Sequence, residues 1–263
     1  MANWNPHGRI DAPMRRLEVR QTRFQRIEVW GSPDETEFRV TGAVHAWWHR
    51  HRFLTGLAWD CIAAGILSHP GQPVSILMLG LGGGTSLRTL QHLLPQASST
   101  AIEIDPDMIG LARGYMELDR IGTRIITDDA YQWLASCRQK FDVIFDDVYG
   151  VTADDVARPG PITPEIAAAI HRCLKPDGIF AANLVTGKGH RRTQSAMRSF
   201  FRSSFPAVRS VTTPDSLNEC LVGGSRLAPW RAIRARAADF ADNADYGFWR
   251  LLRARSIGPS GPR

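Results

Sequence analysis

Gly80-Leu81-Gly82-Gly83-Gly84-Thr85 lies directly after an apolar run and opens an amphipathic segment. Glycines in such a place let the backbone approach a ligand closely, and the first turn of a following helix offers free N–H donors. About twenty residues on, where a strand would end, Glu103 can accept hydrogen bonds from both hydroxyls of a ribose, with Ile104 and Asp105 just beyond it. Asp128-Asp129-Ala130 then offers a carboxylate to the exocyclic amine of a purine, and Asp146-Asp147 brings two further acids. A glycine cluster alone also suits a plain tight turn. A run of strand ends that each deliver an acid is harder to explain as structure, because ligands of open α/β sheets bind at the carboxyl ends of the strands. The spacing Gly-x-Gly-x-x-Gly of a dinucleotide fold is met only in its first half, since Thr85 stands where the third glycine belongs.

The elements that must position these residues alternate. Val74–Leu79 is a nearly continuous apolar run, as expected of a parallel strand covered on both faces. Strands are predicted at 100–104, 124–127, 142–145 and 178–183, with helices through Leu87–Leu94, near 107–117, and over 131–137, 164–174 and 191–204. Late strands near 207–213 and 218–223 complete the sheet. Upstream, 16–20, 24–29 and 37–40 alternate apolar and polar residues, and Gly31-Ser32-Pro33-Asp34 reads as a turn. Residues 52–67 read as a helix ending at His69-Pro70-Gly71. The expected fold class is therefore α/β, a doubly wound Rossmann-like sheet with a small N-terminal antiparallel β-sheet. The expected divisions are 1–50 for the β-subdomain, 51–256 for the main domain and a loose tail over 257–263.

With 263 residues, 43% of them hydrophobic and 22% charged, the chain has the composition of an ordinary globular protein rather than a fibrous or disordered one. No apolar run nears the roughly 20 residues that span a bilayer, and Met-Ala-Asn-Trp-Asn-Pro-His shows no secretion signal. Cys61, Cys137, Cys173 and Cys220 are scattered, which argues against a zinc site and fits a reducing cytoplasm. The net charge of +6 comes from arginines at the two ends, whereas 101–155 is acidic and includes Asp154 and Asp155. No helix-turn-helix signature or aromatic-basic stripe accompanies that charge, so solvated faces and steering of anions explain it better than nucleic-acid binding. The expectation is a protein without metal, nucleic-acid or membrane partner.

Ile76–Gly84, Ala101–Pro106, Thr127–Ala130 and Phe141–Asp147 together resemble the class I S-adenosylmethionine-dependent transferases, in particular the spermidine-synthase-like branch. The likeness extends over about 15–224: Thr22–Ile27 is similar to the family's Ser-x-Tyr-Gln-x-Ile strand, and Leu174–Ile179 to its Leu-x-Pro-Gly-Gly turn. The resemblance implies that Glu103 holds the ribose and Asp129 the adenine amine. It gives Gly80, Gly82, Gly83 and Gly84 the amino-acid or aminopropyl arm, with Gln25, Ile104, Asp128 and Ala130 completing the nucleoside site. It further implies S-adenosylmethionine or its decarboxylated form as the donor, a small-molecule acceptor and a homodimer.

The pattern breaks where the polyamine enzymes hold their acceptor. Their Asp-Ser/Thr-x-Asp-Pro becomes Asp147-Val148-Tyr149-Gly150-Val151, the aspartate of their glycine loop becomes Thr85, and an acidic segment becomes Trp47-Trp48-His49-Arg50-His51-Arg52. If that segment borders the acceptor, a polyamine is disfavoured and a neutral or anionic acceptor fits better. Methyl transfer needs chiefly alignment, and a base only when the acceptor carries a proton. Asp147 and Asp146 are candidate bases, His45, His49 and His51 are alternatives, and Tyr149 is a candidate pocket residue. Trp47 and Trp48 suit an aromatic pocket or ordinary packing equally. The expected activity is methyl transfer, with aminopropyl transfer or a silent nucleoside-binding module as alternatives.

Overall fold

In the computed structural model, strands β1 (Arg15–Gln21), β2 (Arg26–Gly31), β3 (Glu35–Val40) and β4 (Ala43–His49) form an antiparallel meander. The structure describes residues 13–152 and 156–258. The opening Met-Ala-Asn-Trp-Asn-Pro-His, Asp154, Asp155 and the tail from Pro259 lie outside them. Burial alternates along β2 and β3, so Ile27, Val29, Phe38 and Val40 all face the main core. Val40 pairs with Ala43 across Thr41-Gly42, both at positive φ (49° and 82°), the geometry of a tight two-residue hairpin. Strand β4 was not expected, because Ala43–His49 does not alternate cleanly; a register shift at Phe38/Arg39 accommodates it.

The large sheet contains β5 (Ser75–Leu79), β6 (Ser98–Glu103), β7 (Arg124–Thr127), β8 (Phe141–Asp146), β11 (Leu174–Val185), β12 (Ala207–Thr212), β13 (Asn218–Gly224) and β14 (Arg253–Ile257). Between β8 and β11 lies a short pair, β9 (Gly150–Val151) and β10 (Val156–Ala157). Among the described residues the order is β14-β12-β13-β11-β8-β5-β6-β7, parallel from β11 to β7 and antiparallel beyond β11. Period-2 alternation divides the strands' side chains between two cores. Ile76, Met78, Val143 and Phe145 face one; Leu77, Leu79, Ile144 and Phe180 face the other. Helices α1 (Ala58–Ile66), α2 (Thr85–Leu93) and α3 (Pro106–Tyr115) cover the first core together with the N-terminal sheet. Helices α4 (Ala130–Ser136), α5 (Pro164–Cys173) and α6 (Arg191–Ser204) cover the second. The sheet is thus doubly wound, as the sequence implies.

Two regions depart from the expectation. Residues 52–57 are not helical: buried Asp245 accepts from the amides of Phe53 (2.8 Å) and Leu54 (3.0 Å), and buried Asp60 from those of Thr55 (3.0 Å) and Gly56 (2.7 Å). Gly56 stands at φ +76° and Leu57 is extended, both outside the helical region, so the helix begins only at Ala58. Beyond β13 the chain adds α7 (Trp230–Ala235), α8 (Asn243–Leu251), which supplies Asp245, and the edge strand β14, which runs to Ile257. No helix among the described residues is long and apolar enough to cross a membrane.

Candidate active site

The chain passes from β5 outward to β6 and β7, then returns to β8 on the other flank of β5, so a crevice opens at the carboxyl ends of β5 and β8. The glycine loop forms one wall. Gly80 has φ +84°, and a Cβ there would lie 2.6 Å from the carbonyl oxygen of Asp147, so only glycine lets the two strand ends meet. Gly84, also at positive φ, caps α2 and packs toward Leu118, away from the crevice. Thr85 Oγ1 accepts from the Trp47 amide (2.8 Å) and donates to the Trp47 carbonyl (2.9 Å), which fastens β4 over the loop.

A cavity of about 420 Å³ occupies the crevice. Gln25, Gly80, Gly82, Gly83, Glu103, Ile104, Asp129, Ala130, Asp147 and Tyr149 all line it, as do His45 from β4 and Trp59 from α1. Gln25 is set by a turn in which Thr22 Oγ1 accepts from the Phe24 and Gln25 amides, while Thr22 itself donates to Asp105. Asp105 is buried and caps α3, so of the Glu103/Asp105 pair only Glu103 reaches the cavity.

Glu103 accepts from the amides of Leu81 and Gly82 on Oε2 and of Asp105 on Oε1, each at 3.0 Å. Burial raises its pKa, and those three amides work against the rise. A carboxylate offers about four lone-pair sites, so capacity remains for a hydroxyl. Asp129 caps α4 through Oδ1, which accepts from Tyr131 and Gln132 at 2.9 Å each. Asp128, by contrast, is exposed, folds back on the Asp129 amide and does not line the cavity.

The pair Asp146-Asp147 is divided by the strand's alternation. Asp146 is wholly buried, pairs with Arg158 and accepts from Tyr131, so it is no candidate base. Asp147 faces the cavity and accepts from Asn183 Nδ2 at 2.9 Å. Burial first, then the charges of Asp146 and Glu103, push it up to about 6 against the Asn183 hydrogen bond and Arg158. The Tyr149 hydroxyl donates to the Asn183 carbonyl and accepts from the Val185 amide, both at 3.0 Å. Burial pushes it up to about 12, so Tyr149 shapes the pocket with its ring rather than moving a proton.

The basic segment does not border the cavity. Arg50 is exposed and pairs with Asp34, Arg52 lies over the Trp47 ring, and His49 Nδ1 accepts from the His51 and Arg52 amides. Trp47 and Trp48 do not line the cavity either; its aromatic lining includes Trp59 and Tyr149. Among the described residues the walls hold Glu103, Asp129, Asp147 and Asp215 and no lysine or arginine, so the basic segment does not supply the electropositive border expected from the sequence. Asn183, at the end of β11, had its signal in the fifth strand's terminus. Asp215 and Asn218, before and at the start of β13, carried only the turn signal of Pro214-Asp215-Ser216.

A Rossmann-like sheet with this site at its switch point is the class I S-adenosylmethionine-dependent transferase fold. Residues 61–215 match the model of the spermine/spermidine synthase domain, and the chain belongs to that family. It is 32% identical over 165 residues to an eEF1A lysine and N-terminal methyltransferase homolog of Drosophila melanogaster, covering 59% of this chain but 24% of that protein. It is 26% identical over 185 residues to a polyamine aminopropyltransferase of Chromobacterium violaceum, covering 69% of each. A solved spermidine synthase in complex with the transition-state analogue AdoDATO shares the fold, with a TM-score of 0.68 at 18% identity over 87% of this chain and 80% of that one. The chain thus spans about a quarter of the fly relative that it matches.

Proposed function

We propose that the protein is an S-adenosylmethionine-dependent transferase that moves a methyl group to the nitrogen of a small amine acceptor, with Asp147 receiving the acceptor's proton. The observation that carries this reading is Asp147: a carboxylate held near pH 6, facing the cavity at the strand switch point, with Glu103 and Asp129 on the same wall. Glu103 would hold a ribose hydroxyl, Asp129 the adenine amine, and Gln25 and the backbone at Gly83 the remainder of the donor. A wall whose described residues include four acids and no lysine or arginine suits a cationic sulfonium. The bound donor supplies an electrophilic carbon whose leaving group is a neutral thioether. An amine attacks only as the free base, and Asp147 Oδ accepts the proton it sheds.

Both relatives named above act on amines by their names, which supports an amine here. Aminopropyl transfer is the second reading, favoured by Asp215, which adds a carboxylate for a further positive charge. Against it, Thr85 is committed to the backbone of Trp47, and Gly150 has no side chain to hold the polyamine. The test is incubation with each sulfonium donor and a panel of amines. Methyl transfer leaves S-adenosylhomocysteine and aminopropyl transfer leaves methylthioadenosine, distinguished by mass. For the active pair, kcat/KM should rise with pH through about 6, because the base works deprotonated, and Asp147→Asn should cost about 10²–10⁴-fold. We place the reaction in a reducing cytoplasm, in keeping with four free buried cysteines, and in a homodimer, which light scattering would check.

A further inference from the structure

Beneath the cavity floor lies a buried network that the reaction above does not itself use. Arg158, just after β10, and Asp146 form an ion pair whose side chains are 1% and 0% exposed. The same guanidinium donates to the Tyr131 hydroxyl at 2.7 Å and to the Asn183 carbonyl at 3.4 Å, and its carbon lies 5.6 Å from the centre of the Tyr149 ring. Asp146 Oδ1 also accepts from the Val148 amide at 3.2 Å, which turns the chain directly after Asp147. Arg158 therefore touches both residues that flank Asp147: Tyr149 through its ring and Asn183 through its carbonyl. A lone buried charge beside an active carboxylate is costly and disturbs its ionisation, whereas a paired one is nearly silent.

We propose that Arg158 is a positioning residue for Asp147: by neutralising Asp146 and bracing Tyr149 and Asn183, it leaves Asp147, directly after β8, as the one carboxylate of the Asp146-Asp147 pair that works toward the cavity. The inference rests on the reading of Asp147 as the base. Its test is independent of turnover. The groups facing Asp147 are Asp146 at the end of β8, Arg158 beyond β10, Glu103 on β6, Tyr149 in the following loop and Cys220 on β13. Of these, Asp146 and Arg158 carry opposite charges that cancel, so removing either alone should move Asp147 in opposite directions.

The experiment is a carbon-13 carboxyl NMR titration of the full chain without ligand, with Asp147→Asn identifying the resonance. Arg158→Gln should raise the Asp147 midpoint, and Asp146→Asn should lower it, each by about one pH unit or more. The double variant Asp146→Asn/Arg158→Gln should return the midpoint close to that of the parent. Shifts in the same direction, or no shift in folded variants, overturn the proposal. Should Arg158→Gln fail to fold, the isosteric Asp146→Asn decides alone: a lowered midpoint supports the proposal, and an unchanged or raised one overturns it. Opposed shifts in a protein whose turnover ignores Asp147 would retain Arg158's role and refute the base.

Discussion

Glu103 and Asp129 each have a second employment, and that shapes what their removal should do. Glu103 holds the Leu81 and Gly82 amides as well as facing the cavity. Glu103→Ala should weaken S-adenosylhomocysteine by about 1.5–3 kcal/mol, the range for hydrogen bonds at a charged group. An analogue without ribose hydroxyls should lose much less, and calorimetry giving equal losses would make Glu103 purely a brace of the loop. Asp129 spends Oδ1 on the α4 cap. In Asp129→Asn the adenine nucleoside should lose affinity while its inosine counterpart, lacking the exocyclic amine, is nearly unaffected. Equal losses there would reduce Asp129 to a cap.

At the scale of elements, the site depends on two strand ends meeting through a glycine. Gly80→Ala puts a methyl at φ +84°, 2.6 Å from the Asp147 carbonyl. The left-handed conformation alone costs roughly 1–2 kcal/mol, and relief of the clash requires the β5 and β8 ends to separate. Denaturation should therefore show a loss of stability, together with weakened nucleoside binding. A Gly80→Ala protein of unchanged stability and affinity would mean that the loop is not held against β8. The carboxylates of Asp60 and Asp245 fix the irregular segment 53–56, and Leu57, Ala58 and Trp59, which follow it, line the cavity.

For the molecule as a whole, those two buried acids set a dependence of stability on pH. Burial raises Asp60 from 3.8 to about 7, and Asp245 from 3.8 to about 6, in each case against hydrogen bonds from the backbone. Each binds its proton more tightly folded than unfolded, so the contribution of this pair to stability is greatest at the acid end and declines as pH rises through the interval from about 4 to about 7. Asp60→Asn should flatten that decline in a series of thermal melts. A slope as steep as the parent's would exclude Asp60 as its source.

The order of strands and helices, the glycine loop and the placing of Glu103, Asp129 and Asp147 at strand ends were legible in the sequence, because periodicity and turn chemistry are local. So was the family membership, carried by short contiguous motifs. What the sequence could not express is which neighbour each side chain meets. Asp146 and Asp147 are adjacent and alike in type, yet the alternation of β8 buries one on Arg158 and opens the other to the cavity. His49–Arg52 looked like an acceptor border, but the pairing of β4 with β3 turns it toward Asp34 and Trp47. Residues 52–57 looked helical until Asp245, some 190 residues on, took their amides. Asp215 and Trp59 line the cavity although no motif announced them, because contacts between distant segments are made by packing rather than by any local pattern.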